Sequence, residues 1–122
     1  MKAAYKVITI KSAEETMREA KQVMEAVMRG EEVAPRPAEY SFSSFEAFRK
    51  AMTPQRFNLL RTIREKHPES IQELARITGR DMKNVSEDLR ALVDMELVEL
   101  EPHGRSKTPR LKYDGIRLEV AV

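Results

Sequence analysis

Cysteine and tryptophan are absent from this chain of 122 residues, and glycine occurs only four times. Without a thiolate the protein has no disulfide and no cysteine-ligated metal, and cysteine redox sensing is excluded with them. The scattered glycines make no phosphate-cradling loop and no G-x-S-x-G elbow. The two histidines, His67 and His103, each adjoin a proline, and no H-x-x-x-H or H-E-x-x-H spacing places metal ligands on one helix face. Both are expected at the surface. No metal, no cofactor and no catalytic residue is expected, and the chain does not read as an enzyme. No apolar run approaches the roughly 20 residues of a membrane helix, and Met1 opens no apolar leader, so a cytoplasmic protein without a membrane partner is expected. Charge of one sign is missing too: 22 basic and 20 acidic residues leave a net charge of +2. Any nucleic-acid binding must then come from clustered charge, not from the total.

What is present concentrates between Ser70 and Val98, SIQELARITGRDMKNVSEDLRALVDMELV. Ser70 followed by Glu73 has the spacing of a capping box, in which hydroxyl and carboxylate satisfy amides that a new helix leaves orphaned. Ile71, Leu74, Ala75 and Ile77 then form one apolar stripe, until Gly79 permits a left-handed turn. Asp81 is placed to cap a second helix. There Val85, Leu89, Leu92 and Val93 recur at helical spacing, and Lys83, Asn84, Glu87 and Arg90 take the opposite face. Leu97 to Glu101 reads as a strand, Pro102 to Pro109 as a turn-rich stretch, and Arg110 to Tyr113 as a returning strand. Upstream, Thr53 and Pro54 are a cap and a first-position proline for a helix with Phe57, Leu60 and Ile63 on its buried stripe. Its other face carries Arg56, Arg61, Arg64 and Lys66, either a solvated face or a backbone-contacting edge.

The predicted fold class is therefore α+β: a winged helix-turn-helix, three helices plus a β-hairpin wing, with an N-terminal strand-helix extension. Three divisions are expected. Residues 1–30 form the extension, with a strand over Lys6 to Lys11 and a helix starting at Ser12, whose spacing to Glu15 is a second capping box. Along that helix Ala13, Met17, Ala20, Met24 and Val27 alternate steps of four and three. Small DNA readers need two-fold partners, so Met17, Ala20, Met24 and Val27 are candidates for dimerisation; packing on the chain's own core is the alternative. Residues 31–41 read as a linker, since GEEVAPRPAE has two prolines and no period. Residues 42–122 form the winged domain, with Phe45 and Phe48 of a short helix covering one of its sides. A final strand over Ile116 to Val120, after the Asp114-Gly115 turn, extends the wing sheet or meets the first strand of the same or a partner chain.

The run VSEDLRALVDMELV, Val85 to Val98, resembles the recognition helix and wing start of bacterial and archaeal regulators of the ArsR and MarR type, and Glu73, Leu74 and Ala75 match their second helix. From Phe42 to Val120 the chain is also similar to a group of small winged-helix DNA-binding regulators in which SI, ELA, GRD and NV recur. Some of that group lie beside toxin genes and are taken for antitoxins. Departures are present as well. Glu87 and Asp88 stand where basic or aromatic residues are common in ArsR-like proteins, so phosphate contact from those two is not expected. Glu96 stands where a glycine usually precedes the wing, and the helix is expected to end without a left-handed residue.

A helix fits the major groove and a basic loop reaches phosphates or the minor groove. Lys83, Asn84, Glu87 and Arg90 are accordingly the candidate base contacts: lysine or arginine for guanine, asparagine for adenine, and Glu87 either for a cytosine amine or as a solvated carboxylate. Ser70, Arg80, Ser86, Arg105, Lys107 and Arg110 are the candidate phosphate contacts. Between Pro102 and Lys112 there are four basic residues and no acidic one. The expected function is transcription regulation by sequence-specific binding of double-stranded DNA, as a homodimeric repressor. The resemblance implies in addition an autoregulating antitoxin with a toxin partner. The alternative is a winged-helix protein-protein interaction module without DNA binding.

Overall fold

The computed structural model describes residues 4–34 and 39–122, so part of the expected linker, residues 35–38, lies outside the described residues. The elements run β1 (Tyr5–Ile10), α1 (Ala13–Met28), β2 (Glu39–Phe42), α2 (Phe45–Ala51), α3 (Pro54–Lys66), α4 (Ile71–Thr78), α5 (Met82–Asp94), β3 (Val98–His103), β4 (Ser106–Leu111) and β5 (Gly115–Val120). The chain is a mixed α+β protein. Among the described residues no helix is long and apolar enough to cross a membrane.

Two units divide it, and neither is continuous in sequence. One holds Ala51–Asp114 with Ala4, the other Tyr5–Lys50 with Gly115–Val122. A continuous domain over 42–122 was expected. The difference arises because β5 leaves the helices to pair with β1, and α2 stays with the sheet that precedes it.

In the sheet unit the strand order is β2-β1-β5 with both pairings parallel, Val7 opposite Glu39 and Ile8 opposite Leu118. Of the positions open to the final strand, the structure has it on β1 of the same chain. Gly115 at its start leaves room for the Tyr5 ring, from which a Cβ there would lie 2.3 Å, so a larger residue would displace that half-exposed ring. Ile8 and Ile10 are buried on one face. Phe42 on β2 meets the buried Phe48 ring edge-on at 5.6 Å, with Phe45 6.0 Å from Phe48 and 55% exposed. These rings pack in the sheet unit, whereas the sequence places them as the cover of one side of the winged domain.

Ser12 caps α1 by accepting from the Glu15 amide, as its spacing predicts. The helix side carrying Glu15, Glu19, Val23 and Ala26 is half-buried, whereas Met17, Ala20, Met24 and Val27 are exposed and no α1 residue is buried. The four-three stripe is therefore not spent on the chain's own core. Polar contacts hold the helix near the sheet: Lys11 Nζ donates to Glu19 at 2.6 Å and to Glu39 at 3.4 Å. The hydrogen bond to Glu19 raises the Lys11 pKa above its ordinary value of 10.5. A lysine raised on folding stabilises fully below its unfolded value and loses that contribution as pH climbs through the folded one. Unfolding followed by denaturant should thus show a stabilising contribution from this group that is constant up to about pH 10 and falls above it, with that part of the fall absent in Lys11→Met.

In the helical unit two of the three expected start signals cap their helices as the sequence predicts. Thr53 accepts from the Arg56 amide ahead of Pro54, and Ser70 from the Glu73 amide. Gly79 closes α4 at φ 67, with the Arg80 amide returned to the Ala75 carbonyl. Asp81 stands at the N-cap of α5 but makes no side-chain cap bond. Leu59, Ile63, Leu74, Ala75, Val85, Leu89, Leu92, Met95, Leu97 and Val98 form the core. Helix α5 ends otherwise than expected: Glu96 itself takes the left-handed conformation, φ 62, and the Leu97 amide bonds the Leu92 carbonyl. A non-glycine residue there costs about 1 kcal/mol, tolerated because the turn must deliver Leu97 and Val98 to the core.

Strands β3 and β4 form an antiparallel hairpin, His103 opposite Ser106, closed by Gly104 at φ 61 and Arg105. The expected long loop is therefore mostly strand. Pro109 lies within β4, opposite Leu100; a two-stranded sheet is all edges, where the missing amide is tolerated.

Candidate nucleic-acid interface

Helix α5 separates its residues by face. Val85, Leu89 and Leu92 are buried, while Lys83, Asn84, Glu87 and Arg90, the four expected base contacts, are all exposed. The apolar side fixes the helix on α3 and α4, so the polar side is presented by a held element and not by a loop.

Asp88 belongs to neither face as the sequence reading had it. Its two oxygens are taken by Arg56 Nε at 3.0 Å and Arg80 Nη2 at 2.7 Å, and the three side chains are only 22%, 14% and 19% exposed for Arg56, Asp88 and Arg80. Arg56 also donates to the Ala51 carbonyl at 2.7 Å, and Arg80 to Gln55 Oε1 at 3.3 Å. The carboxylate ties α5 to α3 and to the turn after α4. Its charge is matched by two guanidinium groups and is not directed at phosphate. Arg80, an expected phosphate contact, is committed to the same cluster, and its Nη1 is buried without a hydrogen-bond partner. Beside the cluster a recess of about 380 Å³ is lined by Gln55, Arg80, Asp81, Asn84, Glu87 and Asp88. Gln55 reaches this recess from α3, and no pattern in the sequence singled it out.

The remaining phosphate candidates divide by what else they touch. Ser70 accepts the Glu73 amide, which leaves its hydroxyl hydrogen available, and Ser86 is half-buried on α5. Arg105 at the hairpin turn and Lys107 on β4 are exposed and make no ion pair among the described residues. Arg110 is paired across the hairpin with Glu101. Glu101 lies just outside the acid-free span counted from Pro102, so the hairpin carries less free positive charge than that span suggests. Ser70 lies close to the hairpin, because Thr108 Oγ1 donates to the Glu69 carbonyl at 2.6 Å.

Both histidines are exposed, as expected, and both line a cleft of about 720 Å³ between the end of α3 and the hairpin, with Arg64, Arg110 and Lys112. Arg64 there donates to the Asp114 carbonyl at 3.1 Å. His67 closes α3 in the left-handed conformation, φ 48. Among the described residues no group of three or more histidine or carboxylate side chains is arranged to hold a metal ion.

No curated protein matches the chain. The family described as HVO_A0114 matches residues 51–118, from the last residue of α2 through the helices and the hairpin into β5. As that match spans more than half of the 122 residues, the chain belongs to the HVO_A0114 family.

Proposed function

We propose that this protein is a winged-helix regulator that binds double-stranded DNA sequence-specifically, as a homodimeric repressor. In this reading α5 is the recognition helix and the β3-β4 hairpin is the wing. The observation that carries it is the division of α5, with Lys83, Asn84, Glu87 and Arg90 exposed on a helix whose Val85, Leu89 and Leu92 are buried. Lys83 and Arg90 suit guanine acceptors, and Asn84 suits adenine. Arg105 and Lys107 supply phosphate contacts from the hairpin. The resemblance to toxin-associated regulators extends the reading to an antitoxin that represses its own operon. The exposed stripe of Met17, Ala20, Met24 and Val27 is open to a second copy or to a toxin.

The test is a gel-shift titration of the protein on its own upstream DNA at about 50 mM and about 200 mM salt. Two unpaired hairpin cations per protomer release about four counterions from a dimer, which lowers affinity about a hundredfold across that range. Retardation of the upstream fragment well ahead of unrelated DNA supports the proposal. Equal, weak binding to every fragment overturns it in favour of a protein-protein interaction module, a reading favoured by the engagement of Arg80 and Arg110 with carboxylates.

A further inference from the structure

Strand β5 lies at one edge of the three-stranded sheet, and among the described residues no strand pairs with its outer side. It is six residues long, without proline or lysine, and Leu118 and Val120 are 39% and 48% exposed on it. Proteins usually blunt such an edge with charge, a bulge or a cover. The opposite edge, β2, is only four residues long.

The sequence of this edge is complementary to itself. Written around Leu118, Ile116-Arg117-Leu118-Glu119-Val120 reads apolar, basic, apolar, acidic, apolar. An antiparallel copy related by a two-fold axis at Leu118 sets Leu118 opposite Leu118, Ile116 opposite Val120, and Arg117 opposite Glu119 twice. Residues alternate faces along a strand, so the apolar pairs share one face and the two opposite-charge pairs share the other. The backbone agrees. The Ala121 amide bonds the Ile10 carbonyl of β1, so by alternation the amides of Arg117 and Glu119 also point inward, and those of Ile116, Leu118 and Val120 point out to the free edge. A two-fold at Leu118 therefore brings outward amides and carbonyls opposite one another.

We propose that β5 is the homodimer interface, two copies joining edge to edge into a six-stranded sheet with the order β2-β1-β5-β5-β1-β2. This deepens the homodimer of the proposed function by naming its surface, and it leaves the α1 stripe for another partner.

The test is sedimentation of the full chain at micromolar concentration without DNA. The unaltered protein is expected to be a dimer. Arg117→Glu and Glu119→Arg each replace two opposite-charge pairs by two like pairs and weaken dimerisation by about tenfold, while the double variant R117E/E119R restores it. Met24→Glu on α1 leaves it unchanged. Circular dichroism establishes that each variant is folded. A monomeric parent overturns the proposal. So do single reversals without effect, a double variant that fails to recover, or dissociation by Met24→Glu. Promoter binding is scored separately: a monomer that still selects its DNA removes this interface and leaves the regulator reading, and a β5 dimer that selects no DNA does the reverse.

Discussion

Replacing Lys83 and Asn84 together by alanine is expected to lower affinity for the upstream site by about a hundredfold or more, since each well-placed base contact discriminates by about 1–3 kcal/mol. Both side chains are exposed, so the protein should remain folded with its melting temperature little changed. Affinity for unrelated DNA should fall far less, because Arg105 and Lys107 on the hairpin are untouched. The measurement is competition between the upstream fragment and random duplex at fixed salt. A parallel loss on both would make Lys83 a phosphate contact and remove base reading from this helix face.

Asp88→Ala is expected to destabilise the fold well beyond the loss of a surface ion pair. Losing one member of a fully buried ion pair costs about 3–5 kcal/mol. Solvent reaches all three groups in part, with exposures of 14% to 22%, which lowers the expectation to about 2 kcal/mol. Two guanidinium groups then lose their carboxylate at once, and Arg80 Nη1 already has no hydrogen-bond partner. Urea unfolding of the variant reads the loss directly. A change below about 0.5 kcal/mol, the value for an isolated surface pair, would show that the cluster does not hold α5 to α3.

The elements bounded by local chemistry were legible in advance. Ser12, Thr53-Pro54 and Ser70 open helices because each satisfies an amide a few residues ahead, and Gly79 closes one because its backbone turns freely. The exposed polar face of α5 followed from its period. What escaped depends on distant residues. Asp88 was read beside Glu87 as an outward charge. It lies one turn from both Val85 and Leu92, on the flank of the buried side, and its role appears only when Arg56, 32 positions away, is brought to it. Glu96 was read as the wrong residue for a left-handed turn, yet core packing of Leu97 and Val98 overrides its backbone preference. Strand β2 has four residues, too few to show alternation, and is defined by its neighbour β1. Likewise the place of β5 is set by its parallel register along β1, a pairing across more than a hundred positions that no local pattern carries.

Pairing of β1 with β5 joins Tyr5 to Gly115, 110 positions apart, whereas contacts among α3, α4, α5 and the hairpin close shorter loops, 32 positions for Arg56 with Asp88 and 39 for Glu69 with Thr108. During synthesis from the ribosome the helices can therefore pack while β1 still waits for its neighbour, since closing so long a loop is slow and comes late. For that interval the β5 side of β1 has unpaired backbone groups. The sheet unit is completed only when β5 takes its place on β1, so its final strand sets the moment at which that edge closes.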